Sequence, residues 1–172
     1  MTIRASLPPA RLGLLAGLAA LFGGGGVLAG IGSAAVAGLE GSGIPVAAVS
    51  TGFPAGLSPF PLRIAEIGAS VRAGAAEIDI VISRRHVLTG NWQALYDETR
   101  EMRTACGDAH MKTILATGEL GTLRNVARAS LVCMMAGADF IKTSTGKETV
   151  NATLPVTLTM LRAIREYEIG RA

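Results

Sequence analysis

Apolar, β-branched runs recur in this chain at the spacing of a strand plus a crossover helix. They begin near Pro45 (Val46 to Ser50), Glu77 (Ile78 to Ile82), Met111 (Lys112 to Ala116) and Asp139 (Phe140 to Thr143), at intervals of 32, 34 and 28 residues. Antiparallel neighbours joined by hairpins would need far fewer residues between them. Helical patterns fill the intervals. Leu62, Ala65, Ile67 and Val71 mark a first apolar face that stops at Gly74, and Trp92, Leu95, Tyr96 and Met102 mark a second that stops before Gly107. Leu120, Leu123, Val126, Leu131 and Met134 mark a third, ended by Gly137; a fourth opens at Thr153 with Pro155 in its first turn and carries Leu158, Leu161 and Ile164. Repeated βα units with apolar strands predict an α/β fold, a parallel sheet covered by helices.

Composition sets the outer limits of function. At 172 residues with 49% apolar and 17% charged side chains, the chain can bury a core and is not a disordered segment. The net charge of +3 could suit nucleic acid, but the arginines are scattered and aromatic residues make up only 4%. No basic stripe with interleaved aromatics exists, so nucleic acid is excluded as a partner. Cys106 and Cys133 lack metal or redox spacing and read as reduced thiols of a cytoplasmic protein.

Residues 1–43 differ in character from the rest of the chain. Arg4 and Arg11 precede the apolar run Leu12 to Phe22 and the glycines Gly23 to Gly26, and no acidic residue occurs before Glu40. The favoured reading is a weakly ordered Ala/Gly-rich leader, followed by one domain over 44–172. Organelle targeting is the alternative for the leader, and the four-glycine break argues against a membrane helix.

The chemistry concentrates in Ala138-Asp139-Phe140-Ile141-Lys142-Thr143-Ser144-Thr145-Gly146-Lys147. There are three lysines, Lys112, Lys142 and Lys147, against thirteen arginines. Lysine, unlike arginine, yields a neutral amine able to attack a carbonyl when it is buried, which makes Lys142 a candidate nucleophile. The plainer alternative is a strand-end lysine reaching solvent.

Two junctions repeat. Ala73-Gly74-Ala75-Ala76-Glu77-Ile78-Asp79 parallels Ala136-Gly137-Ala138-Asp139-Phe140-Ile141-Lys142, so Asp79 and Lys142 occupy equivalent places, each five residues past a glycine. In a closed (β/α) barrel, alternate strands supply side chains to one interior layer. With one strand between them, Asp79 and Lys142 are expected to face each other there, as a buried salt bridge or a catalytic pair. Lys112 comes from the intervening strand and adds a second cation, which would disfavour a charged amine nearby.

These segments carry a resemblance. Phe140 to Lys147, Glu77-Ile78-Asp79-Ile80-Val81, Lys112 to Leu120, Asn151-Ala152-Thr153 and Ser50 to Gly56 resemble the 2-deoxyribose-5-phosphate aldolase family, from about Ile44 to about Arg165. The resemblance implies a class I aldolase on a TIM (β/α)8 barrel. It would cleave 2-deoxy-D-ribose 5-phosphate to D-glyceraldehyde 3-phosphate and acetaldehyde, in deoxyribonucleotide and carbohydrate catabolism, with no metal or other cofactor. Carried over, Lys142 matches the Schiff-base lysine, Asp79 the acid of the proton relay, and Lys112 a lysine lining the same site. Thr143, Thr145, Gly146 and Lys147 match substrate-binding positions, the last two at the phosphate.

The resemblance covers about four central βα units, a partial barrel. A second lysine, which the family carries in a Gly-Phe-Lys-Pro-Ala-Gly-Gly-like strand, has no counterpart before Ala172, nor do the later glycine-rich phosphate loops. The expectation is an aldolase impaired by that loss. The alternative is a catalytically dead half-barrel that pairs with itself or a partner through two exposed sheet edges. The remaining conspicuous residues read plainly: His86 and His110 as satisfied or surface histidines, Arg84-Arg85 as a solvated loop, Trp92 as a helix-face core residue, and Glu119 as a helix cap.

Overall fold

A computed structural model describes residues 1–4 and 36–170; most of the expected leader, 5–35, lies outside the described residues. The elements run β1 (Thr2–Arg4), β2 (Ala47–Val49), α1 (Phe60–Arg72), β3 (Glu77–Val81), α2 (Arg84–Leu88), α3 (Trp92–Ala105), β4 (His110–Ile114), a 3-10 turn at Thr117–Glu119, α4 (Leu123–Met135), β5 (Phe140–Lys142) and α5 (Leu154–Ile169). Strands β2 to β5 lie side by side in chain order and pair in parallel, joined by the helical crossovers that the spacing requires. No helix among the described residues is long and apolar enough to cross a membrane.

One strand departs from expectation. Thr2–Arg4, at the start of the expected leader, pairs antiparallel with β5 in the register Thr2↔Lys142, Ile3↔Ile141 and Arg4↔Phe140. The β5 edge expected to be exposed is therefore covered, its backbone donors and acceptors met by β1. Among the described residues, the sheet ends at β1 on one side and at β2 on the other, and the outer edges of these two strands carry no neighbouring strand.

Local chemistry sets the helix boundaries. Asn91, Thr122 and Thr153 each accept a hydrogen bond from the backbone amide three residues on, which starts α3, α4 and α5, and a proline stands in the first turn of α1 and α5. Gly74 and Gly137 end α1 and α4 at φ +93° and +101°, where a side chain would be strained. Ala75 and Ala138 then donate back to Ser70 O and Cys133 O, closing matching turns before β3 and β5. The sequence parallel between these junctions is thus a real structural repeat.

The core lies between the sheet and the helices. Ile78, Ile80 and Ile82 from the β3 segment pack with Met111, Leu115 and Ile141, and against Ile67, Leu95, Met102, Val126, Cys133, Met160 and Ile164 of the helices. Each of the three isoleucines is fully buried (0% exposed) and contributes about 2 kcal/mol through removal from water. Glu77, Asp79 and Val81 alternate with them and face the other side of the sheet.

Helix faces were only partly as expected. Leu62 and Leu123 are exposed, as are Ala65, Leu158 and Leu161, whereas Arg63, Ser70, Val156, Met160 and Ala163 point inward. Where apolar residues surround a helix, periodicity does not choose the buried stripe; docking on the sheet does. Arg84-Arg85, expected in a solvated loop, open a short helix, Arg84–Leu88.

Candidate active site

Asp79, Lys112 and Lys142 share the face of the sheet opposite the helices. Asp79 is in register with Lys112, and Lys112 with Phe140, so Lys142 lies two residues further along β5. All three positions keep the same parity and emerge on one side. The Lys142 ammonium donates to Asp79 Oδ2, as their equivalent places in the repeat suggested. The Asp79 side chain is 4% exposed and that of Lys142 14%, so the pair is largely withdrawn from water. Asp79 Oδ1 is buried and has no partner, leaving an acceptor beside the amine unused.

Lys112 does not act as an unbalanced second cation. Its ammonium donates to Glu77, and it also lies 5.7 Å from the Phe140 ring centroid. Both lysines lean back along the strands, each to a carboxylate two residues before its own register position. The signal for Glu77 was present in the sequence: Glu77 and Asp79 are two carboxylates at the strand period of two.

The turn after β5 gathers the expected substrate-binding residues. Thr143 is buried, its hydroxyl 3.1 Å from the Met1 amine and 3.4 Å from Ser144 Oγ. Thr145 is committed within the turn: its amide and hydroxyl donate to the Glu148 carboxylate at 3.0 and 2.8 Å, and its oxygen accepts from the Lys147 amide at 3.1 Å. Gly146 sits at φ +84°, and a Cβ placed on it would meet nothing within 4 Å. Burial alone would push the Glu148 carboxyl up, but hydrogen bonds from Thr145, from its own amide and from the Gly146 amide together outweigh it and hold the group below its ordinary value. Glu148 was not singled out in the sequence, although Thr145-Gly146-Lys147-Glu148 has the Thr-x-x-Glu form of a capping box.

The neighbouring loops lock this rim together. Thr117 donates its amide to Thr143 O at 2.8 Å, and Gly118 lies so close to the next loop that a Cβ on it would be 2.2 Å from Val150 O. Glu119 caps nothing; it pairs at 2.6 Å with Arg84, which also donates to Ala55 O at 2.8 Å. Arg84 thus ties the loops after β2, β3 and β4 instead of lying in solvent. Nearby, Arg63 is 2% exposed and donates to Val81 O, to Ser83 Oγ at 2.8 Å and to Glu98. Burial lowers the Arg63 pKa and Glu98 opposes that shift. An arginine in an amphipathic helix reads as surface, so nothing in the sequence marked it as buried.

The other named residues are structural. His86 Nε2 lies 3.3 Å from Glu98, and His110 Nδ1 3.6 Å from Asp139. Trp92 packs half-buried against the core with the Arg128 guanidinium 5.7 Å from its ring centroid. Burial pushes the Cys106 and Cys133 thiols up to about 11 and about 12, which makes them inert. Among the described residues, no group of three or more His, Cys, Asp or Glu side chains could hold a metal ion.

A parallel sheet with one helix-covered face and a lysine–carboxylate pair on the other is the architecture of the barrel aldolases. A profile described as DeoC/LacD family aldolase matches residues 51–170, and the chain belongs to that family. Human deoxyribose-phosphate aldolase is 69% identical over 101 residues, 59% of this chain and 32% of the human protein. Among solved structures, "QR15, an Aldolase" superposes with a TM-score of 0.70 at 29% identity, covering 83% of this chain and 61% of that one. The tetrameric deoxyribose phosphate aldolase of Aeropyrum pernix gives 0.67 at 25% identity, covering 78% and 56%. The chain therefore spans about a third of the human relative's length (32%), and its sheet is part of a (β/α)8 barrel.

Proposed function

We propose that the chain carries the imine-forming centre of a class I aldolase acting on 2-deoxy-D-ribose 5-phosphate. The observation that carries this reading is the contact of Lys142 with Asp79 on the face of the sheet away from the helices. Lys142 passes a proton to a base, Asp79 being in contact with it, and the neutral amine attacks the substrate aldehyde. Loss of water from the carbinolamine leaves an iminium. Removal of the proton from the C3 hydroxyl breaks the C2–C3 bond, the electron pair moving into the iminium to form an enamine. D-Glyceraldehyde 3-phosphate leaves; protonation of the enamine and hydrolysis release acetaldehyde and restore the amine. Asp79 Oδ1, buried and unpartnered, suits a water or substrate hydroxyl in that proton traffic.

In this reading Lys112, balanced by Glu77, shapes the charge of the site, and the Thr143–Lys147 turn receives the phosphate. Incubation with acetaldehyde and borohydride, followed by peptide mass mapping, tests it. A reduced adduct at Lys142 that vanishes in Lys142→Met is expected; no adduct at any pH overturns it.

Pairing with another copy is a second reading, favoured by the open outer edge of β2 among the described residues. It predicts a dimer or larger species by sedimentation; a monomer across the accessible concentration range rejects it.

A further inference from the structure

Lys112 stands directly opposite Asp79 in the register of β3 and β4, strands about 4.8 Å apart, so the Asp79 carboxylate is well within reach of its side chain. An ammonium and a carboxylate so placed on one face of a sheet ordinarily form a cross-strand pair. Asp79 even offers an acceptor, since Oδ1 is buried without a partner. The Lys112 ammonium instead turns back two residues to Glu77, the first residue of β3, with the Phe140 ring centroid 5.7 Å away.

The two ion pairs are thus separated along the sheet. Glu77 draws Lys112 toward the starts of the strands, whereas Lys142, the last residue of β5, meets Asp79 nearer the loops that follow them. Exposure agrees: the Lys112 side chain is 4% exposed and that of Lys142 14%.

We infer that Glu77 is a positioning residue for the lysine chemistry: by holding Lys112, it keeps Asp79 paired with Lys142 alone and leaves Asp79 Oδ1 free for the proton traffic of the site. The inference rests on the reading of Lys142 as the imine-forming amine. Without the Glu77 charge, Lys112 turns to Asp79, its register neighbour, and competes with Lys142 for one carboxylate. An anion shared by two ammonium groups takes up a proton less readily.

The test compares borohydride trapping of acetaldehyde at Lys142 in wild type, Glu77→Gln, Lys112→Met and the double variant. Glu77→Gln keeps the size of the side chain and removes its charge. It should slow trapping about tenfold, the scale of one misplaced hydrogen bond to a charged group. In the Lys112→Met background the same change should have no effect, because no ammonium is left to move. Equal rates in wild type and Glu77→Gln, or a loss that persists in the Lys112→Met background, overturns the inference. If wild type forms no adduct, the imine reading fails by itself. In that case, or if Lys112→Met alone forms no adduct, urea unfolding decides through the coupling between Asp79→Asn and Lys112→Met. That coupling, expressed as a factor in the unfolding constant, should be about tenfold greater in Glu77→Gln than in the wild-type background. The same coupling in both backgrounds overturns the inference.

Discussion

Lys142 stands two residues further along its strand than the position in register with Asp79, and its ammonium nonetheless meets the Asp79 carboxylate. The offset follows from barrel geometry. In a (β/α)8 barrel with eight strands and a shear of eight, a level layer climbs about one residue per strand relative to the hydrogen-bond register. Across two strands the climb is about two residues, which brings Lys142 level with Asp79 and leaves Lys112 to lean toward Glu77.

The pair should respond to mutation as a unit. Asp79→Ala leaves an ammonium that is only 14% exposed without its counter-charge and should cost about 3 kcal/mol of stability. The double replacement Asp79→Leu with Lys142→Met removes both charges and should cost far less. Urea unfolding of Asp79→Leu, Lys142→Met and the double variant measures the coupling; strict additivity would mean that the pair contributes nothing.

Gly118 should not tolerate a side chain. Its Cβ would lie 2.2 Å from the Val150 carbonyl, a backbone atom that cannot rotate away. Gly118→Ala must push the loop after β5 outward, at about 2 kcal/mol by the usual scale of overpacking. Thermal or urea unfolding reads that cost. Wild-type stability in the variant would show that the two loops are not in contact.

Acid should erase the contribution of Glu148. Its pKa is lowered in the folded chain, where hydrogen bonds from Thr145, Gly146 and its own amide together outweigh burial, so its charge stabilises the fold above the ordinary value of 4.5. That contribution is lost as pH falls through the lower folded value. Because the group is partly exposed, the effect should not exceed about 1 kcal/mol. Wild type should therefore be slightly more stable than Glu148→Gln near neutral pH, and the two should converge in acid. A gap that widens on acidification would reverse the assignment.

Much of the fold could be read from the chain as text. The interval between strands specified parallel pairing because only a crossover of that length returns the chain to the same end of the sheet. The twin glycine junctions before β3 and β5 placed Asp79 and Lys142 at matching depths, because each glycine ends its helix at a defined distance from the strand. Side-chain alternation then put Asp79, Lys112 and Lys142 on one face. These are local or periodic properties, and they survive any detail of packing.

Packing decided the rest. Leu158 and Leu161 matched a helical period as well as Met160 and Ala163 do, and only docking on the sheet chose which pair to bury. Arg63 went inward because Val81 O and Ser83 Oγ at the end of β3 meet Glu98 of α3 there, partners from two separate places in the chain. Thr2–Arg4 joined β5 across well over a hundred residues of sequence. Composition and spacing determined which strands exist and which side each lysine faces, since those follow from neighbours along the chain. Which carboxylate answers each lysine, and that Glu148 closes the turn beyond it, depended on strand tilt and loop contact, which arise only when distant segments are brought together.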